Sequence, residues 1–314
     1  MCKKQNEFRE FIRLNTFIEN KKPKANYGKQ TFTGYLFASP WIIGFLIFGL
    51  YPIGISFYYS LCQYDVLRIP QFIGLRNYEQ LLFSDNYFWL SIWNTLFYTA
   101  LRVPLCIAGS LLLAVLVNNA VRGVKIFRTI YFIPSIVTGV VLSALWLWIL
   151  NPQYGLINSS IAYLGVQGPL WLLDPDWSKP SMVLMSLWSI GGGRMLVFLA
   201  ALQGIPQHLY EVVEMDGGGW WAKFKNVTVP MISPVIFLWT ILEVIFSLQV
   251  FVEAYVMTKG GPLNSTLFYN LYLYNRAFED FDMGYASALA WLLLLITLGI
   301  TALQFRLSKK WVHY

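Results

Sequence analysis

The chain reads as a succession of long apolar runs separated by short polar stretches. It shows neither the strict alternation of a half-buried strand nor the single stripe of a soluble surface helix. A helix needs about 20 mostly apolar residues to cross about 30 Å of hydrocarbon. Six stretches reach that length: Tyr35–Leu61, interrupted by Pro40 and Pro52; Phe88–Val117, apolar apart from Arg102; Phe127–Leu150, which stops at Asn151-Pro152; Pro180–Leu202, broken by Gly191-Gly192-Gly193-Arg194; Pro234–Met257, carrying Glu243 and Glu253; and Met283–Phe305. The pattern predicts an all-α, polytopic membrane protein with six transmembrane helices over residues 35–305. A polar, basic tail (1–34) precedes them and a short tail (306–314) follows. In the first tail Phe8, Phe11, Ile12 and Ile18 recur at helical spacing among Glu and Arg. That pattern fits either a helix lying on the inner leaflet or a plain tether.

Composition sharpens the membrane reading. Of 314 residues, 57% are hydrophobic and only 12% charged, with a mean hydropathy of +0.52. A soluble domain carries about a quarter charged residues. The 13 Trp and 19 Tyr suit a chain with many water–lipid boundaries, where amphipathic rings anchor. Cys2, Cys62 and Cys106 are irregularly spaced and give neither a disulfide framework nor a metal cluster. The polar start does not read as a cleavable signal peptide nor Cys2 as a lipoprotein site, and the first spanning helix is expected to drive insertion.

Charge then sets an expected orientation. With both termini in the cytoplasm, the inner segments hold eight Lys and Arg in residues 1–34, then Arg122, Lys125 and Arg128, then Lys223 and Lys225, then Arg306, Lys309 and Lys310. The outer segments hold only Arg68, Arg76, Lys179, Lys259 and Arg276. This bias satisfies the positive-inside rule, and the inverse topology violates it. The net charge of +7 is therefore an orientation signal and does not imply nucleic acid.

The segment between the fourth and fifth stretches is the most patterned. Pro206 suits the first turn of a helix, and Leu209, Val212, Val213 and Met215 supply an apolar stripe. Asp216-Gly217-Gly218-Gly219 ends that helix in a turn. A second short helix is expected through Trp221 and Phe224, until Pro230 and Pro234 redirect the chain into the membrane. The product is a compact amphipathic elbow suited to a partner's groove. The alternative, a solvated charged loop, has no use for two tryptophans or for this Gly and Pro spacing.

Here the sequence resembles the permease subunits of binding-protein-dependent ABC importers. Their signature loop runs Glu-Ala-Ala, three residues, Gly, and later Ile-x-Leu-Pro. Glu211, Asp216, Gly217, Phe224, Val227, Pro230 and Pro234 stand at its positions. Val212 and Val213 replace the usual alanines, and Gly218 replaces a common alanine. Asn94-Thr95, Arg128-Thr129 with Pro134, and Asn151-Pro152 with Gly155 and Asn158 resemble the carbohydrate branch of that family. Thr258-Lys259-Gly260-Gly261-Pro262 followed by Thr266 is similar to the outer loop of its maltose-type first permease subunit.

The resemblance covers roughly residues 30–310 and implies the type I importer permease fold of the bacterial inner membrane. The elbow would be a coupling helix seated in a separate ATPase subunit. There Glu211 and Asp216 would meet basic groups, Val212, Val213 and Met215 would fill the groove, and Gly217 and Phe224 would complete the set. Two ATPase subunits, which bind ATP and magnesium, a second permease, an extracellular solute-binding protein and a saccharide are the implied partners. No cofactor is expected in this chain.

Ionisable groups within spans cost about 2.5–3.5 kcal/mol at the bilayer centre on insertion scales, so they face the interior or a cavity. At 100° per residue, Glu243, Ser247, Gln249 and Glu253 share about half the circumference of one helix. The resemblance passes a sugar-lining role to Glu243, Ser247 and Gln249. Arg194 either meets an acidic sugar or neutralises Glu243 or Glu253. Ion pairs that hold helices together and contacts to substrate both stay open, for Arg102 as well. The glycine run at 191–193 either admits a close backbone or opens a lumen. The outer segments carry more acid than base, which fits a docking rim or ordinary solvated loops.

An enzyme reading fails on inventory. His208 and His313 are the only histidines, and no Gly-x-x-x-x-Gly-Lys-Ser/Thr loop exists to hold a nucleotide phosphate. A secondary carrier and a membrane-embedded transferase are the alternatives. The carrier would show a doubled hydropathy pattern, which is not visible here.

Overall fold

The computed structural model describes residues 27–118 and 124–312, with side chains from 34–118 and 126–312. The tail pattern at Phe8–Ile18 and the inner charge at Arg122 lie outside the described residues. The chain divides into two compact units, 1–58 and 59–314.

In the first unit, helix α1 (Tyr27–Phe45) runs through Pro40 into a π turn (Leu46–Leu50) and on into α2 (Tyr51–Ser60). The apolar side chains point outward, with Phe37 81% and Phe48 82% exposed, as a lipid-facing helix requires. Pro52 does not break this span. A proline within a helix lacks its own N–H and crowds the carbonyl four residues back. The Tyr51 N–H bonds the Leu46 carbonyl five residues back, so the π turn widens the helix one residue ahead of the proline.

The second unit begins with a two-stranded hairpin, β1 (Cys62–Gln63) and β2 (Gln71–Phe72). Then come α3 (Arg76–Phe83), α4 (Asn86–Asn118), α5 (Val124–Phe132), α6 (Gly139–Ile149), α7 (Leu156–Ala162), α8 (Pro175–Leu187), α9 (Gly193–Gln203), α10 (Gln207–Met215), α11 (Trp220–Lys223), α12 (Val229–Leu248), α13 (Val252–Met257), α14 (Tyr269–Tyr274) and α15 (Met283–Ser308). The 33-residue α4 is the central post, with α8, α9, α12 and α14 all packed on it. One apolar cluster surrounds its first half, around Phe88 and Tyr98, and a second surrounds its last third, around Leu111 and Ala114. Arg102 lies between them.

Among the described residues, four helical segments have the length and apolarity to cross a membrane: Gly34–Ser60, Asn86–Asn118, Trp220–Met257 and Met283–Ser308. The third and fourth expected spans are not single helices. The third bends by 101° between Ile136 and Gly139. Pro134 tightens it into a 3-10 turn (Ile133–Ile136), and Val137 and Thr138 are extended. The fourth stops at Leu187 and restarts at Gly193. A Cβ on Gly191 would sit 2.2 Å from the Tyr131 carbonyl oxygen, and one on Gly192 would sit 2.5 Å from Ser135 Cβ. Of the two open readings of that glycine run, close backbone approach is the one realised.

The fifth span also differs from expectation. Pro230 and Pro234 do not redirect the chain. Helix runs from Trp220 through a second π turn (Phe224–Thr228) into α12, and the Val229 N–H reaches the Phe224 carbonyl just ahead of Pro230. The same device thus serves both prolines. The span breaks instead at 249–251, between α12 and α13.

The motifs at 94–95, 151–158 and 258–266 build loops. Asn94 donates to the carbonyls of Asn264 (2.9 Å) and Leu267 (3.2 Å), and Thr95 Oγ1 accepts from the Tyr269 N–H. Asn158 donates to Pro152 and Pro169 and accepts from Trp171 at 2.6 Å. Thr258 and Thr266 share a 2.7 Å hydroxyl pair. Buried Asp85 caps α4 through the Tyr87 and Phe88 N–H groups and accepts both the Tyr272 and the Tyr285 hydroxyls. It thereby ties α14 and α15 to the start of the post.

Candidate functional site

The elbow is α9, a short turn, α10, a second turn and α11. Pro206 is extended and stands just ahead of α10, whose axis departs from α9 by 67°. The far end of α10 closes as a Schellman turn: the Gly217 N–H reaches the Glu214 carbonyl (2.9 Å) and the Gly218 N–H reaches the Val213 carbonyl (2.8 Å). Gly217 has φ +76°, which a side chain resists. Gly218 is needed for space, because its Cβ would lie 2.5 Å from Val213 Cγ1, 2.8 Å from the Val213 carbonyl oxygen and 3.1 Å from Ala222 Cβ. The two departures from the family pattern therefore belong together. The valine side chain at 213 occupies part of the room that an alanine at 218 would need, and the Val213 carbonyl oxygen occupies the rest.

The expected apolar stripe divides in two. Leu209, Tyr210, Val213 and Phe224 turn inward onto the cluster of Leu202, Ile205, Val227 and Ile232. Val213 and Phe224 accordingly hold the elbow from beneath, instead of standing on its outer face. Val212 and Met215 stay outward, Met215 at 80% exposure, beside exposed Glu211 and Asp216. Trp220 stacks on Phe224 with centroids 5.5 Å apart and planes within 8°, and Trp221 packs against the same ring.

Two polar links lock α10 to the returning strand of helix: Glu214–Lys223 at 2.8 Å and Tyr210–Thr228 at 3.1 Å. The Lys223 hydrogen bond, helped by its charge, holds the Glu214 carboxyl below the usual glutamate range. Glu211 and Asp216 make no ion pair among the described residues.

The intramembrane charges converge. Glu243 on α12 is only 3% exposed and receives Arg194 from α9 on one oxygen and Arg102 from α4 on the other, the latter at 3.6 Å. Arg102 also donates to Ser247, one turn further along α12, at 2.8 Å. Arg194, Glu243 and Ser247 are thus brought together, and Arg102 joins them. Gln249 and Glu253 are not part of this group, because the break at 249–251 ends the helix that was expected to align all four. Gln249 is exposed and its carbonyl accepts from Asn270.

Beside it runs a row of rings that the spacing did not signal: Phe251, Tyr255, Tyr274 and Phe278, with successive centroids 5.0–5.4 Å apart. Two of these rings lie 19 or more residues beyond the others in sequence, so only the fold assembles the row.

Residues 106–313 match the family described as "Binding-protein-dependent transport system inner membrane component". A probable ABC transporter permease protein, YesP of Bacillus subtilis (strain 168), is 39% identical over 297 residues, covering 93% of this chain and 96% of the relative. The lactose transport system permease protein LacF of Rhizobium radiobacter is 35% identical over 283 residues, 88% and 94% of the two chains. In the crystal structure of a bacterial ABC transporter involved in import of the acidic polysaccharide alginate, one chain superposes with a TM-score of 0.77 at 24% identity. That match covers 90% of this chain and 96% of the other, and the two share one fold.

Proposed function

Because the chain belongs to the family of binding-protein-dependent transport system inner membrane components, with the type I importer permease fold, we propose that it forms half of the translocation path of an ATP-driven saccharide importer, coupled to a separate ATPase through residues 206–230. The family consists of multi-pass transport permeases of the inner membrane and not of enzymes, which leaves the transferase alternative without support. ATP and magnesium are assigned to two ATPase subunits. A second permease completes the path, and an extracellular solute-binding protein delivers the sugar. Both termini and the elbow face the cytoplasm, in keeping with the bias of Lys and Arg.

The observation that carries the coupling role is the elbow's rigidity combined with what it leaves outward. Its inner face is packed, its end is closed by a Schellman turn and its middle is tied by Glu214–Lys223. Val212 and Met215 remain as an apolar knob, flanked by the Glu211 and Asp216 carboxylates. A groove with an apolar floor and a basic rim is the complement of that surface. A saccharide is supported by the lactose relative and by the alginate transporter that shares the fold. It is supported also by the ring row beside Gln249 and half-buried Glu253, since sugar faces stack on aromatic rings while hydroxyls bond polar side chains.

The test is made on the full complex in vesicles loaded with ATP, with the binding protein outside. Met215→Glu, which puts a charge into the groove, is expected to lower sugar import at least tenfold. Met215→Cys is expected to cross-link to an ATPase subunit. Undiminished import by the first variant, with no ATPase captured by the second, overturns the assignment.

A further inference from the structure

Two of the broken spans break at the same place relative to the buried charges. Arg194 stands at the second position of α9, directly after the interruption at 188–192. Glu243 and Ser247 lie in the last turns of α12, directly before the interruption at 249–251. Arg194 and Glu243 therefore join α9 to α12 at the ends furthest from the elbow, about 15 Å along α9 and about 20 Å along α12 at 1.5 Å per residue. Between the ion pair and the elbow the two helices share an apolar cluster that includes Met195, Phe198, Leu202, Val227 and Ile232. The result is a braced frame: α9 and α12 are its sides, the elbow closes one end and Arg194–Glu243 closes the other. Both sides of the frame pack on the central post, which lends Leu111, Ala114 and Val117 to the same cluster, and Arg102 adds the longer 3.6 Å contact and a bond to the Ser247 hydroxyl. Beyond the two interruptions, α8 packs on α4, as α9 and α12 do, and α13 packs on α6.

We propose that Arg194–Glu243 is the closing clamp of a rigid coupling frame formed by α9, the elbow and α12, and that this frame swings as one body about the interruptions at 188–192 and 249–251. In this role Glu243 is a positioning residue and makes no contact with the transported sugar. A charge pair buried this deeply is directional and intolerant of stretching. The same apolar helices without it could slide on each other as the elbow is pushed. The inference rests on the coupling role proposed for the elbow.

The experiment measures sugar imported per ATP hydrolysed by the full complex in vesicles, together with the KM for sugar-loaded binding protein. Glu243→Gln keeps the shape and removes the charge. It is expected to lower the import-to-hydrolysis ratio at least fivefold in assembled complexes, with KM within twofold of the parent. Glu243→Asp keeps the charge, shortened by one methylene, and is expected to recover part of the ratio. An unchanged ratio in Glu243→Gln, or a loss confined to the amount of complex assembled, overturns the clamp. A rise in KM at constant ratio overturns it as well, since Glu243 would then touch substrate. Should Glu243→Gln fail to assemble, Glu243→Asp and Arg194→Lys carry the test, and unchanged ratios in both overturn the clamp. Met215→Glu in the same vesicles separates the two inferences: a normal ratio there defeats the coupling role of the elbow, whereas a low ratio there with a normal one in Glu243→Gln defeats only the clamp.

Discussion

Gly218 and Val213 show how one side chain's volume is set by another's absence. Adding a methyl to Gly218 drives it into Val213 Cγ1 at 2.5 Å, and overpacking of this kind costs about 1–3 kcal/mol. Gly218→Ala is therefore expected to lower the thermal midpoint of the purified complex, and Val213→Ala in the same chain to restore only the part due to Cγ1, since the Val213 carbonyl oxygen stays 2.8 Å away. Additive losses in the double variant would defeat the pairing. Glu214 gives a second residue-scale expectation. Its carboxyl is depressed by Lys223, so the pair's contribution is present above the ordinary glutamate value of about 4.3 and fades as pH falls through the lower, folded value. Lys223→Met is expected to raise the Glu214 titration midpoint, read by NMR or infrared carboxyl bands; an unmoved midpoint would mean that the contact does not persist in solution.

At the scale of elements, the interruptions matter more than the helices. Gly191→Ala must displace the Tyr131 carbonyl, and Gly192→Ala must displace Ser135, whereas a Cβ on Gly193 meets nothing within 4 Å. The first two variants are expected to give little folded complex. Gly193→Ala should keep full yield with stability equal or higher by about 0.5 kcal/mol, since alanine suits a helix better than glycine. Equal behaviour of the three in a solubilised-complex melting assay would contradict this. The apolar runs made four of the six expected spans legible as long apolar helices, the first, second, fifth and sixth, and the signature made the elbow legible. The breaks at 137–138 and 249–251 were not, because Pro134 could equally have been carried within a helix, as Pro40 and Pro104 are, and Gln249-Val250-Phe251 contains no glycine or proline at all. Periodicity assumed a continuous helix there and so placed Gln249 and Glu253 on one face with Glu243. The ring row at 251–278 was hidden for another reason: its members come from two stretches, 251–255 and 274–278, and no local spacing records that meeting.

For the whole molecule, orientation is the property that all the roles share. With Cys2 changed to Ser, and Cys62 and Cys106 already buried, a single cysteine at position 215 is expected to react with a membrane-impermeant maleimide only in inverted vesicles. One replacing exposed Leu263 is expected to react only in intact cells or spheroplasts. The reverse pattern would turn the molecule over and remove the elbow from any cytoplasmic ATPase. The π turn at Phe224–Thr228 has a consequence at this scale too. It amounts to one extra residue threaded into an otherwise continuous helix, and each residue advances the azimuth of everything after it by about 100°. The bearing of α12, and with it the direction in which the paired Glu243 carboxylate points about 15 residues after the turn, is dialled by that single insertion. Delete Asn226, and the acid turns away from its arginines into the place now held by half-buried Leu242.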